Sequence, residues 1–236
     1  MTKVLDPLRS SAASGSIGDT VYSRNQYGPY VRARTSPTQP GTAKQTAARN
    51  RFSAAVAAWQ STLSAADRTS WHDYARQVPG YDALGNPQQL SGFAMYLRHR
   101  LTIATTGLTP PTTAPINYRV AQQDPTVVIV APDSASGFAF PEFDVTQPWA
   151  NEDGGHLKFD VGQETPPTVN FYGGPWQFVS SIAGSSSSPP SSPGFIVFSG
   201  STYTFNAGNL IRFRLTVIRG DGRISATWSP PPTVMI

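Results

Sequence analysis

The side chains able to carry acid–base or metal chemistry are few. His72, His99 and His156 are the only histidines in 236 residues, and there is no cysteine. Thiolate nucleophiles, thiolate metal sites and a disulfide framework are excluded on that count. His72 precedes Asp73, and His156 follows Glu152 and Asp153, but no HxxxH or HExxH spacing sets two imidazoles on one helix face. A helix-surface His72 and a loop His156 are the ordinary readings. Asp144, Glu152, Asp153 and Asp160 could converge on Ca²⁺, with Asn151 to Gly155 as the turn; the spacing matches no EF-hand loop, and a solvated acidic turn is the simpler reading. Gly15-x-x-Gly18 lacks the Lys-Ser/Thr of a phosphate-binding loop, and there is no G-x-S-x-G elbow. No pair of titratable groups is placed so that their pKa values would be pushed apart into an acid and a base. The expectation is a protein without catalytic residues, cofactor or bound metal.

Two recognition motifs compete with plain structural readings. Arg219-Gly220-Asp221 spells a cell-adhesion tripeptide, yet Gly-Asp-Gly at 220–222 is also what a tight turn uses. Trp149, Trp176 and Trp228 could make a sugar-binding face, although strand alternation groups Trp228 with Ile224 and Ala226 as core.

The elements that must position any site divide by composition. Charged residues are only 14%, beside 22 Pro and 20 Gly, which favours a turn-rich, largely β protein over a compact helical enzyme. Residues 1–106 hold 12 Lys and Arg against 5 Asp and Glu, whereas residues 107–236 hold 6 against 9. The first half would be drawn to an acidic surface and the second would not. No apolar run has the length of a signal peptide or a membrane span, so a soluble chain with no membrane partner is expected.

Residues 1–16 are small and polar at their end, Ser10 to Ser16, and predict an arm that a partner must hold. Val21, Tyr22, Tyr30 and Val31 are strand formers around turn chemistry at Asn25 to Gly28, which predicts a hairpin of Thr20 to Arg24 against Tyr30 to Arg34. An isolated hairpin is marginal in water, so this one needs another surface. Thr35 to Gly41, with Pro37 and Pro40, is a stiff spacer closing an arm of residues 1–41. Three helices are predicted over residues 42–107. Thr42 caps the first, Ala43 to Leu63, with Phe52, Val56, Trp59 and Leu63 as its buried stripe; Ser64 caps the second, Ala65 to Gln77, with Trp71 and Tyr74 inward and near Trp59. After a turn at Leu84 to Pro87, Ser91 starts the third, which runs to about Thr105 with Phe93, Leu97 and Leu101 on one face and Tyr96 and Arg100 beside it. Leu108 to Ile116, rich in proline, is the boundary.

From residue 117 to 236 the pattern has period two. Expected strands are Thr126 to Ala131, Gly137 to Val145, Leu157 to Val161, Val169 to Tyr172, Trp176 to Ile182, Phe195 to Phe198, Thr202 to Phe205, Leu210 to Arg219 and Arg223 to Trp228. Short strands between turn signals predict an antiparallel β-sandwich, with Gly184 to Pro193 as a connector loop at one end. The fold class expected is α+β: an extended arm with a β-hairpin, a small helical region, and a β-sandwich.

The run Gly15 to Gly18, Tyr22 to Asn25, Gly28, Tyr30 to Arg32, Pro37, Pro40, Gln45, Arg49, Phe52, Trp59, Leu63, Arg68, Trp71, Tyr74 and Ala75 resembles uncharacterised proteins encoded in tailed-phage and prophage regions. The resemblance spans about the first 110 residues and implies a virion or assembly role, with no catalytic residues to carry over. Residues from Asn117 onward are similar in strand rhythm to immunoglobulin-like or fibronectin-type-III-like sandwiches, without the cysteine pair of immunoglobulin domains. Pieces around Trp59 to Arg68 and Trp71 to Ala75 are similar to parts of an HMG box, but in that family they occur in the opposite order.

Together these readings make the chain a structural protein of a tailed-phage virion, a capsid-decorating or cement protein before a tail, neck or fibre component. It would be made in the host cytoplasm and reside in the virion. Its partners would be the major capsid protein or other virion proteins, in many copies or as a homo-oligomer. Docking would fall to Tyr22, Arg24, Tyr27, Tyr30, Arg32, Arg34, Arg49 and Arg51, whose arginines would meet acidic groups. The alternatives are nucleic-acid binding through the same basic hairpin and helices, and a fibre component with a glycan-binding β-domain.

Overall fold

Strand formers, turn residues and helix caps lay out a mixed α+β chain, seen in a computed structural model that describes residues 2–3, 14–25, 28–36, 39–81, 87–201 and 203–236. The chain divides into two units, Met1–Thr46 and Ala47–Ile236. The first is a four-stranded antiparallel sheet of β1 (Thr2–Lys3), β2 (Gly15–Ile17), β3 (Thr20–Asn25) and β4 (Gly28–Ala33), in the order β1-β4-β3-β2. The expected hairpin is β3 against β4, pairing Thr20 with Ala33 and Tyr22 with Val31. Two corrections apply to the expected arm. Gly15 and Ser16 are already strand, because Gly18, in the left-handed region at φ 56°, lets two residues turn the chain so that Ile17 pairs with Thr20. Thr2 and Lys3 pair with Val31 and Tyr30, adding a fourth strand. Residues 4–13, Tyr27 of the expected docking set and Pro37 of the spacer lie outside the described residues.

The helices begin at the expected caps. The Thr42 hydroxyl accepts from the Gln45 amide at 3.3 Å and Gln45 Oε1 accepts from the Thr42 amide at 3.3 Å, opening α1 (Ala43–Ala57). A π-helical turn, Ala58–Thr62, follows and closes with Leu63 N–H donating to the Ala58 carbonyl. It shifts the phase of the helix: of the expected stripe Leu63 is buried and Val56 and Trp59 are half-buried, whereas Phe52, on the far side of the shift, is half exposed and Ala55 and Ala58 are buried beside the stripe. Ser64 caps α2 (Ala65–Gln77) in a reciprocal box with Asp67, and Ser91 caps α3 (Gly92–Ala104). The inward face of α3 is also corrected. Met95, Tyr96, His99 and Ile103 are buried with Gly92, and Phe93, Leu97 and Leu101 are only half-buried. Gly92 sets this rotation, because a Cβ there would lie 2.7 Å from the His72 backbone nitrogen. Trp59 and Trp71 meet through Tyr96, whose ring is 5.3 Å from one and 5.5 Å from the other.

Between α2 and α3, β5 (Gly80–Tyr81) pairs with β6 (Pro87–Gln88); Leu84, Gly85 and Asn86 of the expected turn lie outside the described residues. The proline-rich stretch packs along α2. Trp71 Nε1 donates to the Thr112 carbonyl at 2.7 Å, Thr113 Oγ1 to Asp67 at 2.8 Å, and the Ala114 amide to Ser70 Oγ at 3.1 Å, with Ala114 buried beside Leu63 and Trp71.

The remaining strands are β7 (Val128–Asp133), β8 (Phe138–Glu142), β9 (His156–Gly162), β10 (Trp176–Ala183), β11 (Ile196–Val197), β12 (Leu210–Ile211), β13 (Phe213–Ile218) and β14 (Thr233–Val234). They form antiparallel sheets ordered β10-β9-β13, β11-β8-β7 and β12-β14. One face of each three-stranded sheet feeds a common core: Leu157, Phe159, Val161, Phe213, Leu215 and Val217 from the first, Ile129, Ala139 and Ile196 from the second. The expected strand at Val169 to Tyr172 is absent, since Pro166 and Pro167 precede it and the Tyr172 hydroxyl is engaged by the Gln163 amide and the Pro175 carbonyl. Tyr203 to Phe205 is not strand either, and Thr202 lies outside the described residues. Arg223 to Trp228 makes only single bridges, Ile218 to Ile224, Ala121 to Ser225 and Leu215 to Trp228, because Ser225 Oγ takes the Val217 amide that a ladder would use. No helix among the described residues is long and apolar enough to cross a membrane.

Candidate functional site

Strand alternation decides what the N-terminal sheet presents. Residues opposite one another share a face. Ile17, Thr20, Tyr22 and Arg24 therefore lie with Pro29, Val31 and Ala33, while Val21 and Ser23 lie with Tyr30 and Arg32. The first face is the more apolar, with Arg24 at its margin, and the second mixes Val21 and Tyr30 with Ser23 and Arg32. The expected docking residues thus divide between two faces instead of forming one surface. Arg34 follows β4, exposed, with its amide donating to Asp19 O at 2.6 Å. Arg49 and Arg51 belong to the second unit, on an exposed stretch of α1 where Arg51 Nε reaches the Ala47 carbonyl at 3.4 Å. Among residues 14–46 whose burial is described, not one is buried. Its described residues enclose no core.

The second unit holds the groups that might have carried chemistry. His99 is 3% exposed, its ring 5.2 Å from Trp71 and 5.5 Å from Tyr74. Its Nδ1–H donates to the Met95 carbonyl at 2.9 Å, and Nε2 has no partner among the described residues. Burial, only partly offset by that hydrogen bond, pushes its pKa down to about 4, so the ring is neutral near pH 7. Burial likewise pushes Tyr74 up to about 12. The cavity beside them, lined by Val78, Met95, Ile224 and Ala226, measures about 40 Å³ and admits water but no substrate. Among the described residues no nucleophile or carboxylate is bonded to the imidazole, which packs as an aromatic neighbour of Trp71 and Tyr74. Residue reasoning missed it; the i, i+1, i+4, i+8 run of Met95, Tyr96, His99 and Ile103 was the available signal. His72 is exposed, 5.8 Å from Trp59, and the adjacent Asp73 pairs with Arg76 instead. His156 opens β9, with Nδ1 3.3 Å from the Gly154 carbonyl.

The four carboxylates considered for Ca²⁺ go to four different places. Asp144 caps Thr146, Asp153 accepts from Ser186, Glu152 grips Arg219 and the Gly220 amide, and Asp160 sits between Lys158 and Arg214. The hydrogen bonds from Thr146 and from Ser186 hold Asp144 and Asp153 below the usual carboxylate range. The Glu152 contact also removes the adhesion tripeptide from consideration as a displayed motif, since Arg219 is clamped and Asp221 binds Arg223 at 2.6 Å. The tryptophans do not share a sugar face. Trp149 is core, its Nε1 donating to the buried Asp124 at 2.9 Å, Trp228 packs against the same core, and Trp176 lies half-buried under Arg214, whose guanidinium is 5.3 Å from its ring.

On that same sheet face, Lys158 lies 5.6 Å from the Phe178 ring and bonds Asp160. Burial lowers the Lys158 pKa against the opposing pull of Asp160. The i, i+2 spacing of Lys158 with Asp160 and of Arg212 with Arg214 places all four on one face, a signal that the sequence carried. The exposed β11-β8-β7 face is different in kind. Val128, Val130, Phe138, Phe140, Phe195 and Val197 line it, with Phe195 4.8 Å from Phe138 and 5.8 Å from Phe140. Comparison of the chain with protein-family models, with curated proteins and with solved structures gives no match.

Proposed function

We propose that this chain is a non-enzymatic structural protein of a tailed-phage virion, a capsid-decorating or cement protein that docks through its N-terminal sheet and displays a β-sandwich built from residues 117–236. The observation that carries the reading is the four-stranded sheet without a single described buried residue. Ordering some thirty residues costs roughly 1–2 kcal/mol each in backbone entropy, and apolar burial is what ordinarily offsets it. A sheet that buries nothing by itself is completed by a partner. Exposed Arg24, Arg32 and Arg34 direct it to an acidic one. Many weak contacts repeated over a symmetric shell then add through effective concentration. The resemblance of the first 110 residues to phage-encoded proteins supplies the setting.

The test is binding of the purified chain to DNA-free capsids and tails, beside a chain lacking residues 1–41. Capsid binding lost with the deletion supports the proposal; no binding by the intact chain, with virions unchanged in composition and stability by the deletion, overturns it. Mass spectrometry of whole particles gives the copy number relative to the major capsid protein, separating decoration from neck or tail. Exposed arginines on the hairpin and α1 also suit nucleic acid, and a mobility-shift series separates the readings: phosphate binding weakens steeply with salt.

A further inference from the structure

We infer that the exposed β11-β8-β7 face is the receptor for the N-terminal sheet of a second copy of this chain. An antiparallel sheet with one face on a core ordinarily turns polar residues outward. Here the outward positions are Val128 (51% exposed), Phe140 (39%), Phe195 (53%) and Val197 (37%), with Phe138 and Val130 half-buried between them. Contiguous apolar surface on this scale marks an interface in soluble proteins.

Two properties identify the occupant. The same chain carries a second apolar sheet face with no buried side chain among its described residues, formed by Ile17 (63% exposed), Tyr22 and Val31, and two such faces stack about 10 Å apart as the layers of a β protein do. Their rims are of opposite charge. Glu142 ends the receptor face opposite Val128, with Asp133 at the end of β7 and Asp144 just beyond β8. The stretches that supply these strands, residues 120–157 and 163–211, contain no Lys or Arg. The N-terminal face bears Arg24, with Arg34 following its last strand, and residues 14–46 hold one acidic residue, Asp19. Because donor and receptor are different surfaces, the contact is heterologous and propagates from copy to copy, as a ring or an open array according to its rotation. The inference rests on the docking role given above to the N-terminal sheet, but it needs no capsid.

The test is sedimentation velocity and light scattering of the full chain over a concentration series. The wild-type chain is expected to grow beyond a dimer. Phe140→Glu disables the receptor face and Ile17→Glu the donor face, so each alone is monomeric. An equimolar mixture of the two restores one good interface and yields a complex that stops at two copies. A monomeric wild-type chain at every concentration overturns the inference. So does association abolished by Phe140→Glu but untouched by Ile17→Glu, which is a face-to-face pair of receptor surfaces, and so does a mixture that stays monomeric. Unchanged circular dichroism and melting verify the fold of each variant. Should Phe140→Glu not fold, Phe195→Ser serves as the receptor variant, and the charge reversals Arg24→Glu and Glu142→Arg are expected to weaken association singly and recover it when mixed. A chain that fails to self-associate yet binds capsids sinks this inference and leaves the docking proposal standing; one that self-associates and binds no capsid does the reverse.

Discussion

The N-terminal sheet and the β-rich part of the second unit are built from the same strand grammar and end in opposite states. Both alternate apolar and polar residues, both turn on glycine, and both pair antiparallel. In the second unit Phe159, Leu215 and Phe213 meet Ile129 and Ile196 from another sheet, and all are buried. In the first unit Ile17, Tyr22 and Val31 meet no such counterpart among the described residues, and none is buried. Pairing strands satisfies backbone hydrogen bonds, whereas stability follows from a second apolar layer. The described residues of the first unit pair their strands without enclosing such a layer.

Substitutions can break that contrast, the largest effects being expected where the layer is complete. Trp149→Ala empties a fully enclosed site and removes the donor from Asp124 Oδ2, leaving only Oδ1 bonded, to Thr126. A loss of about 3–5 kcal/mol in urea unfolding is expected. A loss below about 1 kcal/mol would mean that the core is not closed there.

Acid probes the helical core at His99. Its folded pKa of about 4 lies below the unfolded value near 6.5, so the unfolded chain binds the proton more readily between the two. The sign follows from linkage: this contribution is complete above pH 6.5 and is lost as pH falls toward 4, by roughly 3 kcal/mol in all. Arg98 beside the ring acts in the same direction, and Asp221 opposes it. Denaturant midpoints measured from pH 7 to pH 4 should fall for the wild-type chain relative to His99→Phe as the pH drops. Parallel curves would show that His99 does not titrate in this window.

Gly92→Ala is expected to cost about 1–3 kcal/mol, because the added methyl falls 2.7 Å from the His72 backbone and α2 and α3 must separate. The smallest effect sharpens the comparison most. Tyr22→Ala should alter unfolding of the dilute chain by less than about 0.5 kcal/mol. A cost like that of Trp149→Ala would show that the N-terminal sheet already has its second layer.

How much of this was legible in the residues depends on the range of the interaction. Ser64, Ser91 and Thr42 announced helix starts because a cap is a contact over three residues. The β3–β4 hairpin was legible for the same reason. The buried face of α3 was not, since Phe93, Leu97 and Leu101 make as good a stripe as Met95, Tyr96, His99 and Ile103; the close approach of Gly92 to α2 chose between them. Two-residue strands such as β14 carry too few residues to show a period, and the π turn shifted the stripe on α1. The docking residues were legible as types, not as a surface: a two-residue period sends Tyr22 and Arg24 to one face and Tyr30 and Arg32 to the other.

The chain by itself therefore determined where helices and hairpins begin, the charge contrast between its halves, and the absence of thiol chemistry, because these depend on composition or on neighbours a few residues away. Only the tertiary structure decided that Glu152 would close on Arg219, that Asp124 would meet Trp149, and that one β-sheet would line its outer face with six apolar side chains, four of them exposed. Those outcomes join residues from 25 to 67 positions apart or compare two faces of one sheet. Packing against the rest of the chain selects among partners that local sequence leaves equivalent.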